Sequence, residues 1–594
     1  MTTGRKARFF AEKIRDKFHG QIMKYAYRHK QTIGTTGFFA CEPLQELSFG
    51  KLLKLLESSA GDSFLRKHLL LGLEKLRPRQ LAALCRLARK SGNLACLLLQ
   101  YAVLKGPGCA LAANLKDLEN ACASYPLEYL AQKHSPRDLL EDMKLCGGYF
   151  ADNIHKHHKF PRDSKIEHLF ASQEVCQARD AMPANADRLA ALRKQRFNEA
   201  TNEVCQDNSR TLQTALLALE RANILTGPEM RHEKSLSPIG LLREWHLSAN
   251  SLDGEQASEL SGIATAYGRA LSIPAARVSL AMEIVERASA HAEIRFGGET
   301  GEVGGRKAPM PLFCASVNDL EAGKLDFAFP KSPFQPQTWK DVKLKWVKGK
   351  DRKGNEVLVP AQAVFLFSNM SEPELFATTG STGLASGTSR EFARLSALLE
   401  IIERDAHATT PYYAQACFCV KSRDQRIQGL LDDYVAQGIF VQFQDITTEV
   451  GVPAYRCFVT GRDGTICQAA AAALNGKKAA LSALTETPWD YSFGRHPGKA
   501  SMPPIRRMPR IYLEDLPNYE LGSISASLNL VEEVLEAQGL WPVYVDLTRA
   551  DLDLPVCRAI VSGLEVNADF DDFNFPSARL LARQKILFES NIQA

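Results

Sequence analysis

Residues 392–408 read FARLSALLEIIERDAHA, and residues 275–291 read AARVSLAMEIVERASAH. Both carry the pattern S-x-x-x-E-x-x-E-R, as Ser396, Glu400, Glu403 and Arg404, and as Ser279, Glu283, Glu286 and Arg287. The copies lie 117 residues apart, and AALSALTETPWD repeats part of the pattern with Ser482 and Glu486, where Trp489 replaces the second glutamate. On a helix, positions i, i+4 and i+7 share a face. At about 100° per residue, Ser396, Glu400 and Glu403 fall within about 60° of one another. Leu395, Leu399 and Ile402 flank that stripe on one side, with Arg404 and Ala397 on the other and Leu398 and Ile401 beyond. Ser279, Glu283 and Glu286 sit in the same way among Val278, Met282, Val285, Leu280 and Ile284.

A glutamate pair on a helix is ordinarily a solvated face. The apolar flanks argue against that here. Two partly desolvated carboxylates three residues apart repel and raise each other's pKa unless a cation lies between them. Glu283, Glu286, Glu400 and Glu403, with Glu486 as a fifth, suffice for one or two Mg²⁺ ions, which favour carboxylates together with phosphate oxygens and water. A metal-bridged polyphosphate site is the expected chemistry.

Around these motifs the chain has 594 residues, a length that suggests two to four domains. Its 73 basic and 68 acidic residues nearly balance, which disfavours nucleic acid as the main partner. No run of 18 uncharged apolar residues predicts a membrane span. The opening MTTGRKARFFAEKIRDKF lacks the apolar centre and cleavage site of a signal peptide, so a cytoplasmic location is expected. The 14 cysteines are scattered and form no C-x-x-C, so they read as reduced, mostly buried thiols rather than a zinc ribbon or redox motif.

Residues 1–225 carry leucines at three- and four-residue spacing, as in KLLKLLESSAGDSFLRKHLLLGLEKL, and predict a mostly α-helical N-terminal domain. The histidines of HKHHKF, 155–160, interleave with lysines and read as a solvated basic loop. Residues 226–235 read as a linker. Beyond it, 236–594 alternate strand-like runs (IGLLREWHLSA, WPVYVDLT, VCRAIVSGLEV) with helical ones, a mixed α/β (α+β) domain. FGGETGEVGGRKAP, 296–309, reads as a flexible loop, and neither a Walker P-loop nor a GxGxxG fingerprint occurs.

These motifs are where the chain resembles the YcaO-domain family, over about residues 236–594. SPIGLLREWHLS is similar to the family's first strand, GLASGTSREFARLSALLEIIERDA (383–406) to its second block, ALTE (483–486) to its third, and VYVDLTRADLDLPVCRAIVSGLE (543–565) to its last. The family's Gly-Lys-Gly turn stands here as Gly268-Arg269-Ala270. The resemblance implies an ATP and Mg²⁺ site without a P-loop. Arg269, Ser279, Glu283, Glu286, Arg287, Glu400, Glu403, Arg404 and Glu486 would hold the nucleotide, and the five glutamates the metal.

The implied chemistry is ATP-dependent phosphorylation of a peptide amide oxygen after a nucleophile attacks the carbonyl. An internal Cys, Ser or Thr gives an azoline, sulfide a thioamide and an amine an amidine. The substrate would be a ribosomally made peptide or protein, with a TfuA-like or substrate-recruiting protein as partner and room for a homodimer, but no nucleic acid or membrane. The N-terminal domain would recruit substrate or partner. Thr388 stands where Asn is usual, Phe392 where an acid is common, Pro488 and Trp489 where a small residue and Gln are common, and Ser562 where Pro is common. The sequence ends KILFESNIQA without the proline-rich end typical of azoline formers, which makes an azoline-forming cyclodehydratase less expected and leaves thioamide-type or uncharacterised members, or a protein of reduced activity, in play. Thr388, Phe392 and Trp489 motivate the alternative, a non-catalytic nucleotide-binding accessory or scaffold. No residue reads as a general base, and His407 reads as packing or surface.

Overall fold

The computed structural model describes residues 22–30, 38–106, 108–126, 129, 137–182, 186–195, 208–253, 256–297, 299–328, 337–373, 375, 380–461, 463–489, 508–566 and 576–592. Their strands are, in chain order, β1 (Met23–Lys30), β2 (Phe38–Pro43), β3 (Met230–Arg231), β4 (Ile239–Asp253), β5 (Gln256–Ala270), β6 (Glu293–Gly297), β7 (Thr300–Gly304), β8 (Pro311–Ala315), β9 (Leu344–Lys350), β10 (Glu356–Pro360), β11 (Leu384–Ser386), β12 (Cys417–Lys421), β13 (Gln442–Asp445), β14 (Ala454–Thr460), β15 (Ile466–Ala472), β16 (Arg510–Tyr512), β17 (Pro542–Asp546) and β18 (Val556–Val561). One sheet runs β11-β18-β17-β9-β8-β7-β6-β4-β5-β1-β2, with β10 on β9 and β3 on β4. The second runs β15-β14-β13-β12-β16. With the helices between them, this is the expected mixed α/β domain.

The hairpin β4–β5 is the spine of the larger sheet, paired from Ile239↔Ala270 to Asp253↔Gln256. Alternate residues, Trp245, Leu247 and Ala249 on β4 and Leu260, Ala264 and Ala266 on β5, are buried. They pack against Leu280, Ile284 and Val285 of the helix Ile273–Ala290, the first acid helix. Gly268 allows this contact: a Cβ there would lie 2.1 Å from the Ala276 carbonyl oxygen. The helix stops where the Arg306 guanidinium donates to the carbonyls of Ser289 and His291, at 2.5 and 3.0 Å.

The second acid helix, Arg390–Thr409, starts at Ser389, whose hydroxyl accepts from the Phe392 N–H at 3.1 Å, with Glu391 in the first turn to favour the helix dipole. Leu395, Leu398, Ile401 and Ile402 enter a core shared with Leu528, Val531 and Leu535 of the helix Ile524–Glu536 and with β18. Just before it, the Ser386 hydroxyl of β11 donates to the Met282 carbonyl of the first acid helix at 2.8 Å, which ties the two helices together. The third acid helix, Gly476–Glu486, is capped by the Asn475 side chain and packs on β14 and β15 through Ala479, Ala480 and Ala483.

The N-terminal region is helical over much of its length but contributes strands as well. In MKYAYRHK, Met23, Tyr25 and Tyr27 are buried while Lys24 and Arg28 are exposed, the two-residue period of a strand. β1 accordingly pairs with β5 in parallel and β2 with β1. Residues 226–235, expected as a linker, are held on the sheet by Met230↔Leu242 and by the Thr226 N–H to Glu244 carbonyl bond of 3.1 Å. The glycine-rich stretch expected to be a flexible loop holds the end of β6, all of β7 and a turn after it, with residue 298 outside the described residues. HKHHKF is not simply a solvated loop. His157 is half-buried, stacked 3.7 Å from the Tyr412 ring and edge-on to Phe458, and its loss of contact with water pushes its imidazole down to about 3. The opening MTTGRKARFFAEKIRDKF lies outside the described residues. No helix among the described residues is long and apolar enough to cross a membrane.

Candidate functional site

The three acid helices turn their glutamates toward one another. Glu283 accepts the Tyr267 N–H of β5 at 2.8 Å and lies 3.7 Å from Arg287, while Glu286 is 3.2 Å from the Arg287 Nε. Glu400 and Glu403 lie 3.8 and 3.6 Å from Arg404. Glu403 also accepts a hydrogen bond from the Ala472 N–H of β15, and Glu486 one of 3.4 Å from the Ser482 hydroxyl. The carboxylates act on each other across helices: Glu400 on Glu286, Glu486 on both Glu400 and Glu403, and Glu283 on Glu486.

Depth within the fold raises the pKa of Glu286, Glu400, Glu403 and Glu486. Glu286 and Glu403 go furthest, well above the usual carboxylate range. Neighbouring carboxylates push the same way, and Arg287, Arg404 and Arg269 oppose them. Yet the side chains of Glu286 and Glu403 keep 16% and 14% of their surface open, and Glu486 is exposed. Groups crowded by protein but reached by water line a recess.

The arginines complete the pattern. Arg269, Arg287 and Arg404 each hold a buried Nε–H with no hydrogen-bond acceptor. The 3.2 Å approach of Arg287 Nε to Glu286 is an ion pair without hydrogen-bond alignment. Arg269 also lies over the Tyr267 ring, 5.4 Å from its centre. Carboxylates with unmet negative charge beside guanidinium N–H groups with no acceptor fit a divalent cation carrying phosphate oxygens. Among the described residues no three His, Cys, Asp or Glu groups could enclose a metal by themselves. Mg²⁺ suits such a place, because phosphate and water complete its shell.

The structure thus gathers Arg269, Glu283, Glu286, Arg287, Glu400, Glu403, Arg404 and Glu486. Of the motif serines, only Ser482 hydrogen-bonds a carboxylate among the described residues; Ser279 is exposed and Ser396 half-buried. Trp489 is 1% exposed and packs in the core of the smaller sheet, so it departs from the pattern outside the recess. His407 lies deep, and burial with Arg456 and Arg404 pushes its imidazole well below the usual value.

One residue of the site lies outside the motifs. Arg558 of β18 is buried, donates to the Ala363 and Gly380 carbonyls at 3.0 and 2.7 Å, and bears electrostatically on Glu286 and Glu400. Burial lowers its guanidinium to about 10. Its signal in the sequence is a lone charge in the apolar run VCRAIV, which a buried strand tolerates only with partners.

Residues 267–565, half of the chain, match the family model described as YcaO cyclodehydratase, ATP- and Mg²⁺-binding. An uncharacterized protein of Methanothermobacter thermautotrophicus is 30% identical over 334 residues, covering 50% of this chain and 81% of that one. Among solved structures, a heterocyclase in complex with substrate and cofactor aligns at 17% identity and TM-score 0.44, over 60% of this chain and 52% of its own. The chain therefore spans about half the length of that heterocyclase. YcaO from Methanopyrus kandleri bound with AMPPCP and Mg²⁺ aligns at 21% identity and TM-score 0.41, over 61% of this chain and 92% of its own. The matched segment begins at Tyr267, whose N–H holds Glu283, and takes in every gathered carboxylate. ATP and Mg²⁺ are the cofactors that the family description gives, and the chain is a member of the YcaO family.

Proposed function

We propose that the chain is an ATP-dependent enzyme that activates backbone amides of a ribosomally made peptide or protein by phosphorylating the amide oxygen. The observation that carries this reading is the meeting of carboxylates from three helices with three arginines whose Nε–H groups have no acceptor. Glu283, Glu286, Glu400, Glu403 and Glu486 would hold Mg²⁺. Arg269, Arg287 and Arg404 would hold phosphate oxygens and offset charge that builds up during transfer. Bound MgATP supplies a transferable γ-phosphoryl group. The Tyr267 and Ala472 N–H groups and the Ser482 hydroxyl fix Glu283, Glu403 and Glu486 in place.

Family membership, with a model described as a cyclodehydratase that binds ATP and Mg²⁺, supports the nucleotide chemistry. An internal side chain as nucleophile gives an azoline, and external sulfide a thioamide. The N-terminal region would recruit the peptide or a partner such as a TfuA-like protein. The deciding experiment incubates candidate peptides with MgATP, with and without sulfide, and reads phosphate release and peptide mass. Loss of water marks an azoline and exchange of oxygen for sulfur a thioamide. No peptide-dependent phosphate release with any acceptor, despite nucleotide binding, would overturn the reading.

A further inference from the structure

Two cysteines in the N-terminal helices take no part in the acid recess. Cys96 lies in the helix Gly92–Lys105, and Cys122 is the residue at which the helix Leu115–Ala121 ends. Their thiols converge on one acceptor: the Ser124 carbonyl oxygen is 3.1 Å from the Cys96 Sγ and 3.0 Å from the Cys122 Sγ. The Cys96 thiol also bears on Cys122, to which it can turn as a donor once Cys122 is a thiolate.

The backbone is built for this approach. Gly92 precedes Cys96 by one turn on the same helix face, and a Cβ on it would lie 2.6 Å from the Ala123 Cβ and 3.0 Å from the Ala123 nitrogen. Only glycine lets the helix and the 122–124 segment lie this close, and close backbones are what a disulfide requires. Packing of two reduced thiols as small apolar groups does not explain why both point at a single carbonyl.

We propose that Cys96 and Cys122 are a reversible dithiol–disulfide pair, oxidised by a low-molecular-weight disulfide. Cys122 is half-exposed and Cys96 is 6% exposed, so Cys122 attacks first and Cys96 resolves. The Cys122 thiolate attacks one sulfur of the small disulfide, whose other half leaves as a thiolate and takes up a proton. The Cys96 sulfur, losing its proton, then attacks Cys122 and expels the second half. In sum, two protein thiols become a disulfide and the small disulfide becomes two thiols. The Cys96 thiol can donate to the Cys122 thiolate, and this with nearby Arg66 holds Cys122 below the ordinary thiol range against the opposing effect of burial.

The test treats the reduced, full-length protein with oxidised glutathione, quenches with a thiol-blocking reagent and maps peptides by mass spectrometry. The expected product is one species lighter by two hydrogen atoms, with the Cys96 and Cys122 peptides joined, and reversed by a reducing agent. Cys122→Ser should abolish the link, and Cys146→Ser, at a distant buried thiol, should leave it intact. Glutathione that remains on Cys122 without passing to Cys96, or crosslinks spread among the other cysteines, would overturn the proposal.

Discussion

The charge of Glu400, on the second acid helix, raises the proton affinity of Glu286 on the first, although their motifs lie 117 residues apart in sequence. Burial is the larger cause, and the two together place Glu286 well above the usual carboxylate value of 4.5. An acid whose folded pKa is raised favours the fold while protonated. That contribution is complete below the unfolded value and is lost as pH climbs to the folded one. Without nucleotide, stability should therefore fall as pH rises from about 4.5 through the raised value. Glu286→Gln copies the protonated form. It should match the parent at low pH and exceed it in stability at pH 8. Denaturant midpoints at the two pH values check this, and equal curves for parent and variant at pH 8 would refute it.

The same carboxyls should release protons when Mg²⁺ binds, because the cation lowers what burial raised. At pH 8, where the nucleotide is fully ionised, the heat of MgATP binding should depend on the ionisation enthalpy of the buffer. The inferred proton release should shrink in Glu286→Gln and in Glu403→Gln. Each variant should also bind Mg²⁺-nucleotide at least about tenfold more weakly, a loss of about 1.4 kcal/mol. Because Glu286 and Glu400 interact, the double change to Gln should cost less than the sum of its parts. Buffer-independent heats, or additive losses, would count against a shared ion.

The carboxylate stripe is legible in the sequence because it obeys helix periodicity and occurs twice among apolar residues, so spacing alone puts Glu400 and Glu403 on one face. Arg558 is not legible in that way, because its relation to Glu286 and Glu400 is made by strand pairing and crosses helix boundaries. β1 is hidden for a different reason. Its alternation of Met23, Tyr25 and Tyr27 with Lys24, Ala26 and Arg28 is short and stands beside long leucine-rich helices, and its partner β5 begins more than two hundred residues later. The β6–β7 hairpin is masked by its glycines. Gly301 lies in β7, where a Cβ would sit 2.4 Å from the Arg295 carbonyl, so the glycine serves close strand packing rather than mobility.

Gly268 and Gly297 offer a contrast between close packing and open space. A methyl on Gly268 would drive into the Ala276 carbonyl at 2.1 Å and the Leu280 side chain at 2.6 Å, whereas nothing lies within 4 Å of a methyl on Gly297. Gly268→Ala should destabilise by about 2 kcal/mol or more, because backbone must move. It should also weaken nucleotide binding, since β5 carries both the Tyr267 N–H on Glu283 and Arg269. Gly297→Ala should stay within about 0.5 kcal/mol of the parent in stability and bind nucleotide normally. Thermal melts with and without MgATP read both effects.

Arg558 separates charge from hydrogen bonding at the base of the recess. Its guanidinium holds the Ala363 and Gly380 carbonyls while lowering the proton affinity of Glu286 and Glu400. Arg558→Met removes both actions, leaves buried acceptors without donors and should cost about 3 kcal/mol or more. Arg558→Lys keeps the positive charge but cannot span two carbonyls with a planar fork, so it should lose about half as much stability. In the methionine variant the acids lose a compensating charge, so a higher pH is needed to ionise them. The pH at which Mg²⁺-nucleotide affinity reaches half its maximum should then rise, while in the lysine variant it should stay close to the parent. Binding curves across pH 5 to 9 on the folded fraction of each variant separate the two effects, and an unmoved midpoint in Arg558→Met would show that this arginine acts on the backbone alone.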